Sequence, residues 1–452
     1  MSDTIAAVAT GNAVTALGII RISGDRAVEI TDKIFKPAGG TPLKEAPSGK
    51  LVYGKLFGEN GELLDLCLAQ ICRAPGSITG ENYAELQCHG SPVVLKAAIE
   101  TLCANGARIA LPGEYTKRAF LNGKMSLTEA EAVIDLIEAE TSDCAANAAG
   151  QLAGAVSRKT EAVYSDLANI SAHYHAVLDY PDEDIEDFVL NEYRAVISGS
   201  ISVIRTLLST FERGSLMKNG IPAVIIGKPN AGKSSLLNAL LGYDRAIVTD
   251  IPGTTRDTIE EKIKFGAVTL LLSDTAGIRD TQDTVEKLGV GRSLKAAENA
   301  ELIIAVIDGN NSLTAEDKKV LETAERAPKA IIAVSKTDLT DKPVMPESPL
   351  PKVCISSVTG EGIEELSAEI EKLFPMPQVP AGEIITNLRQ KEALAKALYS
   401  LENALEAMET GVTPDAVLTE TENAMYAIGE LNGKTVREDI TNRIFERFCV
   451  GK

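Results

Sequence analysis

The stretch Gly227-Lys228-Pro229-Asn230-Ala231-Gly232-Lys233-Ser234 constrains this chain more than any other. It has the form G-x-x-x-x-G-K-[ST], follows an apolar run at 224–226 that reads as a strand, and opens a segment at 235–241 that reads as a helix. The glycines let the backbone curl so that successive N–H groups point inward, and the helix N-terminus adds partial positive charge. Such a loop is built to hold an anion. Lys233 can span the β- and γ-phosphates of a nucleotide, and the Ser234 hydroxyl can bind the accompanying Mg2+. Further apolar runs at 269–272, 303–307, 331–334 and 353–355, each closed by a polar turn, alternate with helical segments. That alternation predicts a parallel sheet flanked by helices over about 221–374.

Short motifs downstream narrow the ligand. Asp274-Thr275-Ala276-Gly277 closes the next strand, which places Asp274 to hold the Mg2+ shell and the Gly277 N–H to sense the γ-phosphate. Gly253-Thr254-Thr255-Arg256-Asp257 offers Thr255 as a second hydroxyl for Mg2+. Ser335-Lys336-Thr337-Asp338 resembles the guanine-reading N/T-K-x-D: Asp338 can accept from guanine N1–H and N2–H2, a donor pair adenine lacks. Ser stands where Asn is usual, and the shorter hydroxyl reaches less of the base. Ser356-Ser357 resembles the last guanine loop. The combination implies a P-loop enzyme that hydrolyses GTP. Ile278 stands where many switch GTPases carry the glutamine that orients the attacking water, and an aliphatic side chain cannot do that. Asp280, Asp283, Glu286 or a group from another chain must then position the water. Arg256 reads as well as a surface arginine as it does as a charge-stabilising finger.

The remaining sequence has other textures. At 452 residues the chain is too long for one core. The first 122 or so residues hold short β-rich runs, such as Gly18-Ile19-Ile20-Arg21-Ile22 and 63–72, and a helical stretch at 93–105; this is a mixed α/β region. From Ser126 the texture turns helical: Ser126 with Glu129 is a capping-box signature, and Leu127, Ala130, Ile134 and Ile137 recur at helical steps. Helical sequence runs to about 211, broken at Tyr180-Pro181, and returns in the stripe Leu394, Leu398, Leu401, Leu405, Met408. Thr435 and Glu438 then cap a last helix. The simplest architecture is a helical domain interrupted by an inserted α/β domain.

Bulk chemistry limits the partners. Sixty-four acidic residues against 45 basic ones, a net charge of −19, leave little for gripping nucleic acid unaided, so an RNA substrate would need a local basic patch or a second protein. Seven cysteines without a CxxC pair, and no charged-then-apolar leader, suggest reduced thiols and a cytoplasmic location; the longest apolar runs are strand-sized, so no membrane span is expected. His173 and His175 fall on different helix faces, which makes a metal site there improbable, and the acidic run at 182–187 reads as a solvated loop.

GKPNAGKSSLLNALLG, TDIPGTTRD, DTAGIRD, the terminal Phe448-Cys449-Val450-Gly451-Lys452, and GIIRISG, TGENYAELQCHG and RAFLNGKMSLTEAEAV together resemble the tRNA-modification GTPases of the MnmE (TrmE) family over almost the whole chain. The resemblance implies an N-terminal tetrahydrofolate-binding-like and dimerisation domain at 1–122, a helical domain at 123–217 and 379–452 ending in C-x-G-K, and an inserted Ras-like G domain at 218–378. It implies nucleotide contacts from Asn230, Ala231, Gly232, Lys233, Ser234 and Ser235, from Thr249, Asp250, Ile251, Pro252, Gly253, Thr254 and Thr255, from Asp274, Thr275, Ala276 and Gly277, and from Ser335, Lys336, Thr337, Asp338, Ser356 and Ser357. Ser234 and Thr255 would hold Mg2+. Asn230, Thr249, Ile251 and Thr254 would hold K+ against the phosphates, where a cation offsets charge developing in the transition state. Glu286 matches the family's water-orienting carboxylate. Arg21, Glu81, Lys124 and Lys452 match positions that contact a 5-formyl- or 5,10-methylene-tetrahydrofolate, and Cys449 is a candidate functional thiol. The implied assembly is a homodimer working with the flavoprotein MnmG (GidA) on the wobble uridine of tRNA. The competing reading is a regulatory or ribosome-assembly GTPase that transfers no carbon. The N-terminal module and the C-x-G-K tail, which a pure switch does not need, discriminate the two.

Overall fold

Along the strands that flank the glycine loop, successive side chains alternate between two apolar layers, and this decides the architecture. The computed structural model describes residues 3–11, 13–179, 190–243, 261–266, 268–272, 300–375, 379–410, 414–435, 441, 444–446 and 448–451. The chain divides into two compact units, one of Met1–Ile134, Thr160–Ser165 and Met425–Lys452, the other of Asp135–Lys159 and Asp166–Ala424.

The first unit is built on a seven-stranded sheet of β1 (Ile5–Val8), β2 (Thr15–Ser23), β3 (Phe35–Pro37), β4 (Val52–Phe57), β5 (Leu63–Cys72), β6 (Tyr83–Gly90) and β7 (Arg108–Ile109), in the order β3-β4-β5-β6-β2-β1-β7. Only the β1–β7 pair is parallel. One face buries Ile20, Ile22, Ala69, Ile71 and Leu86 against Ile30 and Ile34 of helix Ala27–Ile34 and Leu95, Ala98 and Leu102 of helix Pro92–Ala104. The end of the chain packs in the same unit, where Phe445 and Phe448 join Leu127 and Ala130. The capping box closes in both directions: the Ser126 N–H donates to Glu129 Oε2 at 2.8 Å and the Glu129 N–H to Ser126 Oγ at 3.2 Å. Of the expected final helix, Glu438 lies outside the described residues; the Thr435 hydroxyl donates back to the Tyr426 carbonyl.

The second unit holds a six-stranded sheet of β8 (Ile221–Ile226), β9 (Glu261–Phe265), β10 (Val268–Leu272), β11 (Leu302–Asp308), β12 (Ala330–Ser335) and β13 (Lys352–Cys354), in the order β13-β12-β11-β8-β10-β9. Every neighbouring pair is parallel except β9 with β10. Ile225, Ile304, Val306, Ile331 and Ala333 face helices Lys233–Tyr243 and Ile363–Leu373, while Val224, Ile303, Ala305, Ile307, Ile332 and Val334 face helix Ala315–Glu325. Strands apolar on both sides are what a sheet covered on both faces requires.

Helices precede and follow this sheet. Helix Leu388–Thr410 packs against helix Leu190–Ser209. Its leucine stripe is completed by alanines: Ala393, Leu394, Ala397, Leu401, Ala404 and Met408 are buried, whereas Leu398 and Leu405 are half-buried. The chain returns from the sheet along 381–386, where Asn147 accepts from the Gly382 N–H at 2.8 Å and donates to the Ile384 carbonyl at 3.0 Å, and Thr210 Oγ1 accepts from the Ile385 N–H at 2.9 Å. No helix among the described residues is long and apolar enough to cross a membrane.

Candidate functional site

The glycine loop lies where the sequence places it, between β8 and helix Lys233–Tyr243. A Cβ on Gly227 would stand 2.6 Å from the Val306 carbonyl oxygen, so only glycine lets the loop leave β8 so close to β11. Asn230 takes the left-handed conformation at φ 60°, which turns the chain into the curl. Lys233 Nζ lies within that curl and donates to the carbonyls of Gly227 at 3.0 Å and Lys228 at 2.8 Å. Ala231 is buried, while Asn230, Ser234 and Ser235 are exposed at the mouth.

Three side chains from outside the loop hold it in place. Lys228 Nζ reaches Asp317 Oδ2 at 2.7 Å. Asp317 is fully buried and also closes the capping box of helix Ala315–Glu325 with Thr314. Burial alone would raise its carboxyl pKa, but the Lys228 ammonium and the Thr314 donors outweigh it and hold the value below the ordinary 3.8. The other two come from the base loop at the end of β12. The Ser335 hydroxyl approaches the Ala231 carbonyl at 2.5 Å and the Ile307 carbonyl at 3.1 Å. Lys336, at φ 60°, donates to the Asn230 carbonyl at 2.7 Å and to Asp308 Oδ2 at 2.8 Å. Asp308 is likewise pushed up by burial and brought down further by Lys336, the Asn310 N–H and Asn311.

Thr337 and Asp338 form a short turn that leaves Asp338 exposed. Ser356 is buried: its hydroxyl accepts from the Thr359 N–H at 3.2 Å and its own N–H donates to the Glu361 carbonyl at 2.9 Å, so it shapes the second base loop, with Ser357 half-buried beside it. The glycine loop and both base loops thus lie together at the C-terminal ends of β8, β12 and β13, where open parallel sheets bind ligands. Thr249, Asp250, Ile251, Pro252, Gly253, Thr254, Thr255, Asp274, Thr275, Ala276, Gly277 and Glu286 lie outside the described residues, as do Arg256, Asp280 and Asp283. Sequence reading missed Asp308 and Asp317. The only cue to Asp317 was its place three residues after Thr314, a capping-box spacing.

The first unit holds a second constellation. Arg21 on β2 is paired in register with Glu85 on β6, with Nε 3.8 Å from Oε2. Tyr83 and Gln87 donate to that carboxylate, each at 3.0 Å. The C-terminal tail reaches the same place: Val450 bridges Pro112, and Arg21 Nη1 donates to the Gly451 carbonyl at 3.3 Å. Gly451 has φ 96°, and a Cβ there would stand 2.3 Å from the Val8 carbonyl, so the tail can lie this close only as glycine. Arg21 Nε is buried and has no hydrogen-bond partner among the described residues. The half-buried Arg21 guanidinium carries a positive charge that suits a carboxylate-bearing ligand.

Glu81 already accepts from Ser23 Oγ at 2.8 Å and Arg118 Nη1 at 3.0 Å through one oxygen. Arg118, absent from the residues expected, also grips Asp3 and Glu114. Its cue was its position four residues after Glu114, on one helix face. Lys124 is exposed, its Cε 3.3 Å from where a Cβ on Gly80 would lie, and Cys449 is exposed on the tail. Lys452 lies outside the described residues. All seven cysteines are free.

Residues 127–449 match the family model described as the MnmE helical domain, and residues 4–124 match that of the GTP-binding protein TrmE N-terminus. The chain is 43% identical over 458 residues to a tRNA modification GTPase MnmE of Acetivibrio thermocellus, covering 100% of this chain and 99% of that one. It is 40% identical over 461 residues to a protein of the same name from Clostridioides difficile, with 100% of each chain covered. Among solved structures, the G domain of the T. maritima FeoB iron transporter matches with 31% identity over 34% of this chain and 98% of that chain, at a TM-score of 0.25. Era in complex with MgGDPNP and a fragment of 16S ribosomal RNA matches with 25% identity over 39% of this chain and 65% of that chain, at a TM-score of 0.27. The chain belongs to the MnmE family of tRNA modification GTPases.

Proposed function

We propose that this protein hydrolyses GTP and, with a flavin-dependent partner (MnmG, also called GidA), installs an aminomethyl or carboxymethylaminomethyl group on C5 of the wobble uridine, position 34, of certain tRNAs. The one-carbon unit would come from a tetrahydrofolate. The observation that supports this most is the joining of the glycine loop to the base loop through Ser335 and Lys336, the two loops proposed to meet the two ends of a guanine nucleotide. In this reading 218–378 is a G domain inserted into a helical domain made of 123–217 and 379–452, and 1–122 binds folate and pairs two copies of the chain.

Lys233 exchanges its contacts with the loop carbonyls for the β- and γ-phosphate oxygens as GTP enters, and Asp338 takes the N1–H and N2–H2 of the base. Ser234 and Thr255 would hold Mg2+, which offsets phosphate charge when bound. Asn230, with Thr249, Ile251 and Thr254, would hold K+, which supplies the positive charge an arginine finger gives elsewhere. The backbone bearing the Asn230 side chain is held from behind by Lys336. Glu286 would orient the attacking water, the role Ile278 cannot fill. At the other site Arg21, Lys124 and Lys452 would meet the glutamyl carboxylates of the folate, which supplies the carbon. Glu81, oriented by Arg118, would face the pterin.

The acidic net charge of −19 supports a partner-supplied grip on tRNA. Mass analysis of tRNA nucleosides tests the reading: cells lacking this gene should lose the 5-carboxymethylaminomethyl-type uridine at position 34. An unchanged nucleoside profile contradicts it.

A further inference from the structure

Guanine presents two kinds of edge to a protein. Its N1–H and N2–H2 are donors, and N7 with O6 are acceptors that need donors facing them. The base loop supplies a carboxylate, Asp338, for the donor edge. The hydroxyl at the start of the loop is already occupied. Ser335 is 2% exposed, and its hydroxyl points at two carbonyl oxygens, Ala231 at 2.5 Å and Ile307 at 3.1 Å. A hydroxyl carries one proton, and a carbonyl can only accept, so this proton lies between the glycine loop and β11 with none left for a base. The backbone around Ser335 is fixed too: its carbonyl accepts from the Gly309 N–H at 2.9 Å, and it stands in register with Asp308 on β11. Turning the hydroxyl outward would strip a buried carbonyl of its partner. Lys336, the next residue, commits two of its three N–H donors to the Asn230 carbonyl and Asp308.

We propose that this protein reads guanine without its N7, and that Ser335 is the residue that sets this specificity. The asparagine usual at this position has two amide N–H donors, so it can serve the loop carbonyl and still offer a proton to N7; serine must choose, and here it serves the loop. The inference rests on the GTPase reading above. It deepens that reading by naming which atoms of the base are recognised.

The probe is 7-deaza-GTP, in which a C–H replaces the N7 acceptor and the rest of the nucleotide is kept. Equilibrium titration of the full chain with Mg2+ should give dissociation constants for GTP and 7-deaza-GTP within about twofold of each other. With Ser335→Asn, GTP should bind about tenfold more tightly than 7-deaza-GTP, the effect of one recovered hydrogen bond, ~1.4 kcal/mol. Ser335→Ala covers the case in which the bulkier amide disturbs the buried site. It should weaken both nucleotides equally, because the lost hydroxyl contacts only the loop. A wild-type protein that binds 7-deaza-GTP tenfold more weakly than GTP overturns the inference and leaves the GTPase reading intact. A protein that binds no guanine nucleotide overturns both.

Discussion

Replacing Asp317 with Asn tests how the glycine loop is held. The substitution keeps the shape of the side chain and an oxygen for the Thr314 N–H, but removes the charge facing Lys228 Nζ at 2.7 Å. Removing one partner of a buried pair costs ~3–5 kcal/mol, because the other charge is left without compensation. The Lys228 side chain is 14% exposed, so its ammonium can find some water, which brings the cost down to ~2–3 kcal/mol. That is roughly a 30- to 150-fold rise in local opening. Because a chain with several cores does not unfold in one step, the assay is native-state hydrogen exchange of the amides in β8 and helix Lys233–Tyr243. Lys228→Met added to Asp317→Asn should recover most of the loss, a coupling of at least ~1.5 kcal/mol in the double-mutant cycle. The sign with pH follows from the direction of the shift. A carboxyl whose pKa is lower folded than unfolded contributes its full stability above the unfolded value, near the ordinary 3.8, and loses it as pH falls through the folded value. The gap between wild type and Asp317→Asn should therefore be constant from neutral pH down to about pH 5 and shrink below pH 4. A loss under about 0.5 kcal/mol, or two substitutions that simply add, would refute the idea that this pair holds the loop.

Other expectations follow from the glycine loop and from the proposed function. Gly227→Ala should lower nucleotide affinity at least about tenfold, since its Cβ would press on the backbone of β11 and force the loop outward; titration with GTP measures it, and unchanged affinity would count against the close approach. GTP turnover should be much faster in KCl than in NaCl at equal ionic strength, and equal rates would end the potassium proposal. Glu286→Ala should leave GTP binding intact and slow hydrolysis by about two orders of magnitude or more in single-turnover assays; an unaltered rate would remove Glu286 from the mechanism. Arg21→Ala should abolish the calorimetric heat of binding 5-formyl-tetrahydrofolate, and a wild type that gives no heat would favour a switch without carbon transfer.

Much of the second unit was legible in the sequence because its signals are local. A glycine loop between an apolar run and a helix and strands apolar on both faces each follow from neighbouring residues, as does the Ser126–Glu129 capping box of the first unit, and each is found in the structure. What could not be read depends on contacts distant in sequence. Nothing near Ser335 indicates that its hydroxyl lies against a carbonyl 104 positions earlier. Nothing near Glu81 announces Arg118, although the RAFLNGK segment containing that arginine stood out as a motif. The leucine stripe of helix Leu388–Thr410 was placed on the right face, but its alanines, neutral to any hydrophobicity count, form much of the buried seam. Helices joined through small residues approach closely, and period alone does not reveal which small residues do this. The order of strands in the first sheet, with β2 between β1 and β6, was likewise beyond a reading of local pattern.

In the proposed function the backbone from Asn230 to Ser234 cradles a triphosphate and Asp338 selects its base. Equilibrium titration of the purified full chain with GTP and with ATP, in Mg2+ and KCl, tests it most directly. GTP should bind and ATP should bind at least roughly a hundredfold more weakly, because adenine leaves the Asp338 carboxylate without its donor pair. Equal affinity for the two, or no retention of either, would rule out this mode of binding.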